Sequence, residues 1–271
     1  MKQFNRELLE KLSYLMKIKG KASKTIECYN NALLKFFRFT NKQSKDISKQ
    51  DFINYLKHIT ENDCSKSTHE QFINAWKIYL KEIHNKELKY GNQYRPKKEK
   101  RLPKVLSESE IVNGIKSCKN IKHKAILSVL FSTGMRRSEL INLKIKDIDS
   151  KNMIIRIKQG KGFKDRNVPL TDSLLGILRD YYKECKPIFF LFNGTRGKYS
   201  ATSLANVTKK YLNINPHGIR HSRGTNLINN GADVTEVQKL YGHKNVKTTT
   251  TYLHISVDNL RKLHDPLQKA V

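Results

Sequence analysis

The chain has 271 residues and carries 53 Lys and Arg against 24 Asp and Glu, which gives a formal net charge of +29. That length suits two domains, each with room for a hydrophobic core. The charge predicts a polyanionic partner: nucleic acid, with an anionic membrane surface as the competing interpretation. Apolar runs fall well short of the roughly 18 residues of a spanning helix, and the charged N-terminus is unlike a signal peptide. We therefore expect a soluble cytoplasmic protein without a membrane partner.

Residues 1–91 predict a bundle of four helices, because apolar residues recur at steps of three and four. The clearest segment is residues 23–39, whose apolar face comprises Ile26, Tyr29, Leu33, Phe36 and Phe37. Residues 51–59 and 67–83 show the same period, and the polar faces are rich in lysine.

Residues 92–104, NQYRPKKEKRLPK, combine two prolines and six basic residues with one acid and no apolar period. This composition predicts a linker. The linker is either a solvated tether or a cationic segment that lies along a phosphate backbone, and we favour the second interpretation.

Residues 105–271 predict a larger, mainly helical domain with a small antiparallel β-sheet. Ser107 and Glu110 form a capping box at its first helix. Short β-branched segments on either side of the GKG at residues 160–162 predict a hairpin. Helical patterns then resume at residues 173–184, at residues 200–212, and from Pro216 almost to the end.

The segment PHGIRHSRGTNLINNG, residues 216–231, predicts a helix with an unusual polar face. His217 and Arg220 are three residues apart and share that face, while Ile219, Leu227 and Ile228 supply an apolar side. A buried helix that directs a histidine and an arginine the same way indicates an anion at that place.

Two further residues follow at fixed spacing. His243 comes after Gly242, 23 residues beyond Arg220, and Tyr252 comes nine residues later. Each residue alone has an ordinary structural explanation. The residues of an HxxR motif often lie on the surface or cap a helix, and a lone tyrosine often belongs to a core or an interface. Their joint order indicates a functional site.

This order of motifs resembles the tyrosine recombinases, the phage integrase family, and most closely its compact Xer-type members. The segment STGMRRSELINLKIKDID, residues 132–149, is similar to the family's first box, which gives the catalytic role to Arg136 and not to Arg137. The hairpin QGKGFKDRNVPL resembles the one that carries the family's catalytic lysine. The resemblance implies these catalytic residues: Arg136, Lys161, His217, Arg220, His243 and the nucleophile Tyr252.

The resemblance also implies an architecture. Residues 1–91 would form a helical core-binding, SAM-like domain, residues 92–104 a basic linker, and residues 105–271 the catalytic domain with a C-terminal tail helix. The two domains would form a C-shaped clamp around DNA. The chain departs from the family pattern at Ser222, Arg223 and Tyr241, where we expect effects on packing around the site or on contacts between protomers.

The residue types suit attack by a phenol oxygen on a DNA phosphodiester. Arg136 and Arg220 would hold the phosphate, because a guanidinium fork binds two of its oxygens and stays charged. His217 would act as base, Lys161 would protonate the leaving 5′ oxygen, and His243 would donate a hydrogen bond to the phosphate. This chemistry needs no metal or other cofactor. We interpret Glu139 as structural, orienting an arginine.

The expected function is site-specific DNA recombination through a covalent 3′-phosphotyrosyl intermediate and a Holliday junction. The partner would be double-stranded DNA with an inverted-repeat core site, bound by a homotetramer that is a monomer or dimer when free. The biological task would be chromosome-dimer resolution or mobile-element integration and excision. A noncatalytic DNA-binding protein and a type IB topoisomerase remain alternatives.

Overall fold

The computed structural model describes residues 3–97, 104–158, 165–195, 197–242 and 248–250. The chain divides into two units, Met1–Lys100 and Arg101–Val271. The described residues are mainly helical with two small antiparallel sheets, which confirms the predicted fold class. No helix in these ranges combines the length and apolar character that crossing a membrane requires.

The described part of the N-terminal unit contains four α-helices: α1 (Gln3–Ile18), α2 (Ser23–Thr40), α3 (Lys49–Glu61) and α4 (Lys66–His84). Ser48 and Asp51 form a capping box at the start of α3. The four helices predicted from the spacing of apolar residues are therefore present in the structure.

The core of this unit is built from aromatic rings. Phe36 on α2 is fully buried, and its ring centroid lies 5.0 Å from that of Tyr55, 4.9 Å from Phe72 and 5.1 Å from Trp76. Tyr79 stacks on Trp76 and donates a hydrogen bond of 2.7 Å to Ser44 Oγ, so its hydroxyl is satisfied inside the core.

The first residues of the predicted linker pack against the N-terminal unit. Asn92–Tyr94 form a 3₁₀ turn, and the Arg95 Nη2 atom donates to Asn74 Oδ1 on α4 at 2.8 Å. The Tyr94 ring lies 6.1 Å from that of Phe52. Residues 92–95 thus belong structurally to the helical unit, and residues 98–103 lie outside the described ranges.

The described C-terminal unit contains seven α-helices and five short strands. They are α5 (Glu108–Lys116), α6 (Ile121–Thr133), α7 (Arg137–Asn142), β1 (Ile148–Asp149), β2 (Ile154–Ile157), β3 (Arg166–Pro169), α8 (Asp172–Cys185), β4 (Asn193–Gly194), β5 (Gly197–Lys198), α9 (Ala201–Leu212), α10 (Pro216–Asn229) and α11 (Val234–Tyr241). The sheet order is β1-β2-β3, and β2 and β3 pair antiparallel with Ile155 opposite Val168. These two strands are the sides of the predicted hairpin.

Helix α6 is the centre of the C-terminal core and fixes where the site begins. Its residues are buried on almost every side, and it packs on α8 and α10. The helix ends at Gly134, whose φ of 60° is the left-handed conformation that glycine adopts without strain. This turn delivers Arg136 to the start of α7.

Helix α10 is anchored from the other side of the core. Asn215 caps its N-terminus, with Pro216 in the first turn. Ser222, one of the departures from the family pattern, accepts a hydrogen bond of 2.9 Å from the backbone N–H of Leu106 and donates one to the Gly218 carbonyl. This hydroxyl therefore joins the start of the C-terminal unit to the helix that carries His217 and Arg220.

The aromatic core predicts a large contrast between two phenylalanines of α2. Phe36→Ala should destabilise the N-terminal unit by about 3–5 kcal/mol, because it opens a cavity among buried rings. Phe39→Ala is the matched control, since that ring is 42% exposed, and its loss should be clearly smaller. Urea unfolding followed by the fluorescence of Trp76, the only tryptophan of the chain, reports on this unit. Equal losses for the two variants would contradict the burial of Phe36 among these rings.

Candidate active site

Three of the residues implied by the motifs meet at one cavity. Arg136, His217 and Arg220 line a space of about 490 Å³ between the start of α7 and the start of α10. They come from two segments about 80 residues apart, and the fold brings both helix starts to the same place. Lys161, His243 and Tyr252 lie outside the described residues.

Arg136 is held by a carboxylate of its own helix. The Glu139 Oε1 atom accepts a hydrogen bond of 2.8 Å from Arg136 Nη1, and Oε2 accepts one of 2.8 Å from the Arg136 backbone N–H. The Arg136 side chain is 31% exposed, so its guanidinium reaches the cavity while one edge is fixed. These contacts confirm that Glu139 orients an arginine.

Glu139 also binds a second arginine, Arg166 at the start of β3. Arg166 Nη1 and Nη2 donate to the two carboxylate oxygens of Glu139 at 3.1 and 2.8 Å, and Arg166 Nε donates to the Leu240 carbonyl at 2.8 Å. Sequence reasoning missed Arg166. The available signal was that Arg166 and the core residue Val168 share one face of a strand, which directs the arginine inward.

The two arginines keep Glu139 ionised. Burial alone would raise its pKa, but the hydrogen bonds and positive charge of Arg166, followed by the hydrogen bonds from Arg136, lower the pKa to about 2. At neutral pH this carboxylate is therefore a permanent negative charge inside the unit.

Arg220 is held in a different way, by backbone carbonyls and an aromatic face. Its side chain is almost fully buried, and Nη1 and Nη2 donate to the carbonyls of Gly134 and Tyr241 at 2.6 and 3.0 Å. The guanidinium carbon lies 4.1 Å from the centroid of the Tyr241 ring, whose hydroxyl donates to the Arg220 carbonyl at 2.9 Å. Tyr241, a departure from the family pattern, thus packs directly on Arg220.

Two histidine rings adjoin the arginines. The centroids of His217 and His221 are 4.5 Å apart in an edge-to-face arrangement. Burial lowers the pKa of His217, and the positive charges of Arg220 and Arg136 lower it further. Burial, His217 and Arg220 lower the pKa of His221 to about 4. Both imidazoles are therefore neutral at physiological pH, and His217 can accept a proton.

A second cavity, of about 470 Å³, continues the surface beyond His217. His217 and His221 line it together with Lys104 and Lys209. Two lysines, Lys104 and the α9 residue Lys209, thus lie at the cavity that the histidines share. Among the described residues, no group of three or more His, Cys, Asp or Glu side chains could hold a metal ion.

Comparison with known proteins agrees with this geometry. Residues 98–258 match the family model described as the phage integrase family, and residues 8–90 match the N-terminal SAM-like domain of phage integrases. The chain belongs to the phage integrase family of tyrosine recombinases. The first matched region contains all of the catalytic positions that the resemblance implies.

Sequence alignments with named relatives cover nearly the whole chain. Tyrosine recombinase XerA of Pyrococcus horikoshii is 31% identical over 268 residues, covering 95% of this chain and 92% of the relative. Tyrosine recombinase XerC of Bacillus pumilus is 32% identical over 284 residues, covering 93% of each chain.

Solved structures show the same fold. A crystal structure of XerA recombinase aligns with a TM-score of 0.56 at 28% identity and covers 98% of both chains. The structure of XerH bound to its palindromic difH substrate, a post-cleavage complex, aligns with a TM-score of 0.70 at 23% identity and covers 94% of this chain and 82% of that one.

The contact between Gly134 and Tyr241 predicts that this recombinase tolerates no side chain at residue 134. A Cβ atom there would lie 2.3 Å from the Tyr241 ring, and φ is positive, so Gly134→Ala should cost about 1–3 kcal/mol. Gly176→Ala in α8 is the matched control, because its Cβ meets nothing within 4 Å and a helical alanine should stabilise the unit by up to about 1 kcal/mol. Urea unfolding followed by far-ultraviolet circular dichroism measures both. A neutral or stabilising Gly134→Ala would refute the contact.

The electrostatics of the site predict the titration of His217. In the free recombinase, Arg136→Gln should raise the pKa of His217 toward its ordinary value of 6.5, because it removes a positive charge that disfavours the imidazolium. Arg137→Gln, at the adjacent exposed arginine, should leave the titration unchanged. The measurement is the pH dependence of the histidine ring signals in NMR spectra, assigned with His217→Gln. A wild-type pKa at or above 6.5, or equal effects of the two arginine variants, would contradict the assigned causes.

Proposed function

We propose that this recombinase cleaves and rejoins double-stranded DNA through attack by Tyr252 on a phosphodiester, with Arg136, Lys161, His217, Arg220 and His243 as the other catalytic residues. The observation that carries the proposal is the meeting of Arg136, Arg220 and a neutral histidine at one cavity. A site with two arginines beside a proton acceptor suits a phosphate diester, which needs its charge held and a nucleophile deprotonated.

The arginines would stabilise the charge that develops on the nonbridging oxygens. Arg220 is fixed by its carbonyl and ring contacts, and Arg136 is oriented through Glu139. Donors fixed before the reaction lose little free energy to reorganisation when the transition state forms. Two guanidinium groups can thus do what metal ions do in other phosphoryl-transfer sites, and the mechanism requires no cofactor.

The protons are accounted for at both oxygens. His217 would take the phenol proton as the Tyr252 oxygen bonds to phosphorus, because its lowered pKa keeps the imidazole in the neutral form that can accept a proton. The bond from phosphorus to the 5′ oxygen breaks, and Lys161 would protonate that oxygen, while His243 donates a hydrogen bond to the phosphate. The 3′-phosphotyrosyl link conserves bond energy, so attack by a 5′ hydroxyl of a second duplex rejoins the strand without ATP.

The assembly we propose is a homotetramer on two inverted-repeat core sites that exchanges strands through a Holliday junction, with a monomer or dimer as the free form. The SAM-like match of residues 8–90 and the net charge of +29 support DNA contacts by both domains. XerH was solved on a palindromic DNA substrate, which supports a similar substrate here. The recombinase would act in the cytoplasm. Its biological role would be the resolution of chromosome dimers or the integration and excision of a mobile element.

The proposal predicts that covalent protein–DNA adducts depend on Tyr252. Cells expressing the wild type should yield SDS-stable adducts, and the attached DNA should cluster at one inverted-repeat sequence when it is sequenced. Tyr252→Phe should bind DNA and yield no adduct, because it lacks the attacking oxygen. Tyr182→Phe, at a tyrosine of α8 that is 49% exposed, is the matched control and should yield adducts at the wild-type level.

Adducts at undiminished yield from Tyr252→Phe would refute the nucleophile. Tight DNA binding without adducts from the wild type would favour a noncatalytic DNA-binding protein. Cleavage and relaxation of a single duplex without joining of two different duplexes would favour topoisomerase activity over recombination.

A further inference from the structure

The carboxylate of Glu139 is shared between two arginines, and the sharing is unequal. Arg166 donates to both of its oxygens from a buried position, whereas the Arg136 side chain donates to one oxygen and remains partly exposed at the cavity. The paired contact of a guanidinium fork is the stronger of the two arrangements. Arg166 is therefore the main partner of Glu139, and the Arg136 side chain makes a single hydrogen bond with the same carboxylate.

The pairing of Glu139 with Arg166 affects the charge that Arg136 can offer to a phosphate. Glu139 is ionised, so with Arg136 alone it would form a neutral pair in which a buried carboxylate competes with any phosphate for the same guanidinium. With Arg166 present, the negative charge of Glu139 faces two positive charges, and these three side chains together carry a net charge of +1. The carboxylate can then orient Arg136 without neutralising it.

A third contact fixes Arg166 itself. Its Nε donates to the Leu240 carbonyl in the last turn of α11, and this bond joins residues that are 74 positions apart. Arg166 begins the strand that follows Lys161 in the sequence, and α11 precedes His243. The Arg166 side chain thus links the second strand of the hairpin, the first box at Glu139 and α11.

We propose that Arg166 is a positioning residue: it fixes Glu139 and offsets its charge, so that Glu139 orients Arg136 toward the scissile phosphate without cancelling the positive charge of Arg136. This inference rests on the proposed function, because it concerns the phosphate-binding role of Arg136.

The test is single-turnover adduct formation on a nicked duplex carrying the sequence recovered with the adducts, so that the cleaved fragment diffuses away. Two versions are compared: one with a normal scissile phosphodiester, and one with a methylphosphonate, in which a methyl group replaces a charged nonbridging oxygen. Arg166→Gln should slow adduct formation on the phosphodiester by about 10- to 100-fold, the scale expected for a misplaced reacting group. On the neutral methylphosphonate the loss should nearly disappear, since no negative charge needs to be held.

Two further variants make the result specific. Arg156→Gln is the matched control on the paired strand β2, because Arg156 binds Asp149 at the surface and makes no described contact with Glu139. It should react like the wild type on both substrates. Adding Glu139→Gln to Arg166→Gln should recover part of the phosphodiester rate, because it removes the competing charge. If Arg166→Gln does not fold, Arg166→Lys replaces it, with a smaller loss that again shrinks on the methylphosphonate.

The outcomes separate this inference from the proposed function. Wild-type rates for Arg166→Gln on the phosphodiester, or an equal loss on both substrates, would overturn the positioning role and leave the recombinase mechanism intact. A double variant no faster than the single one would overturn the charge competition on which the inference depends. Absence of adducts from the wild type on either duplex would overturn the proposed function and the inference together.

Discussion

The buried carboxylate of Glu139 organises the described part of the candidate active site. Removing an ionised carboxyl group from water is costly unless charged donors satisfy both of its oxygens. Glu139 meets this condition only because Arg136 approaches from its own helix and Arg166 from strand β3. The helix start, the strand and the last turn of α11 must therefore be in place together. Arg136 is thus positioned at the cavity only when the C-terminal unit has folded.

The two arginines at the cavity are fixed to different degrees. Arg220 is enclosed by carbonyls and the Tyr241 ring, so the chain around it has almost no freedom: Gly134 supplies an acceptor and also has no room for a side chain. Arg136 keeps an exposed edge. A rigid donor beside a more adaptable one suits a phosphate that must first enter the site and then change its geometry around phosphorus during transfer.

Much of this arrangement could be predicted from local sequence, and the remainder could not. The apolar period predicts α2, α8, α9 and α10, and the spacing of His217 and Arg220 places both on one helix face. Arg136 was found only through resemblance to a family. Tyr241 was expected to affect packing around the site, but its contact with Arg220 could not be predicted, and Arg166 was missed. Their contacts join residues 27, 74 and 21 positions apart and exist only after the strands and helices have packed. Local propensity contains no information about such pairs.

The same positive charges that would attract a phosphate also act on His217, the proposed base. Without substrate, burial and the charges of Arg220 and Arg136 favour the neutral form of His217, which lowers its pKa. A bound phosphodiester would place a negative charge next to these arginines, and a nearby anion favours the imidazolium. The pKa of His217 should then rise toward that of a stronger base at the moment when the phenol must lose its proton. We therefore expect substrate binding to raise the pKa of His217 and so to make it a stronger proton acceptor.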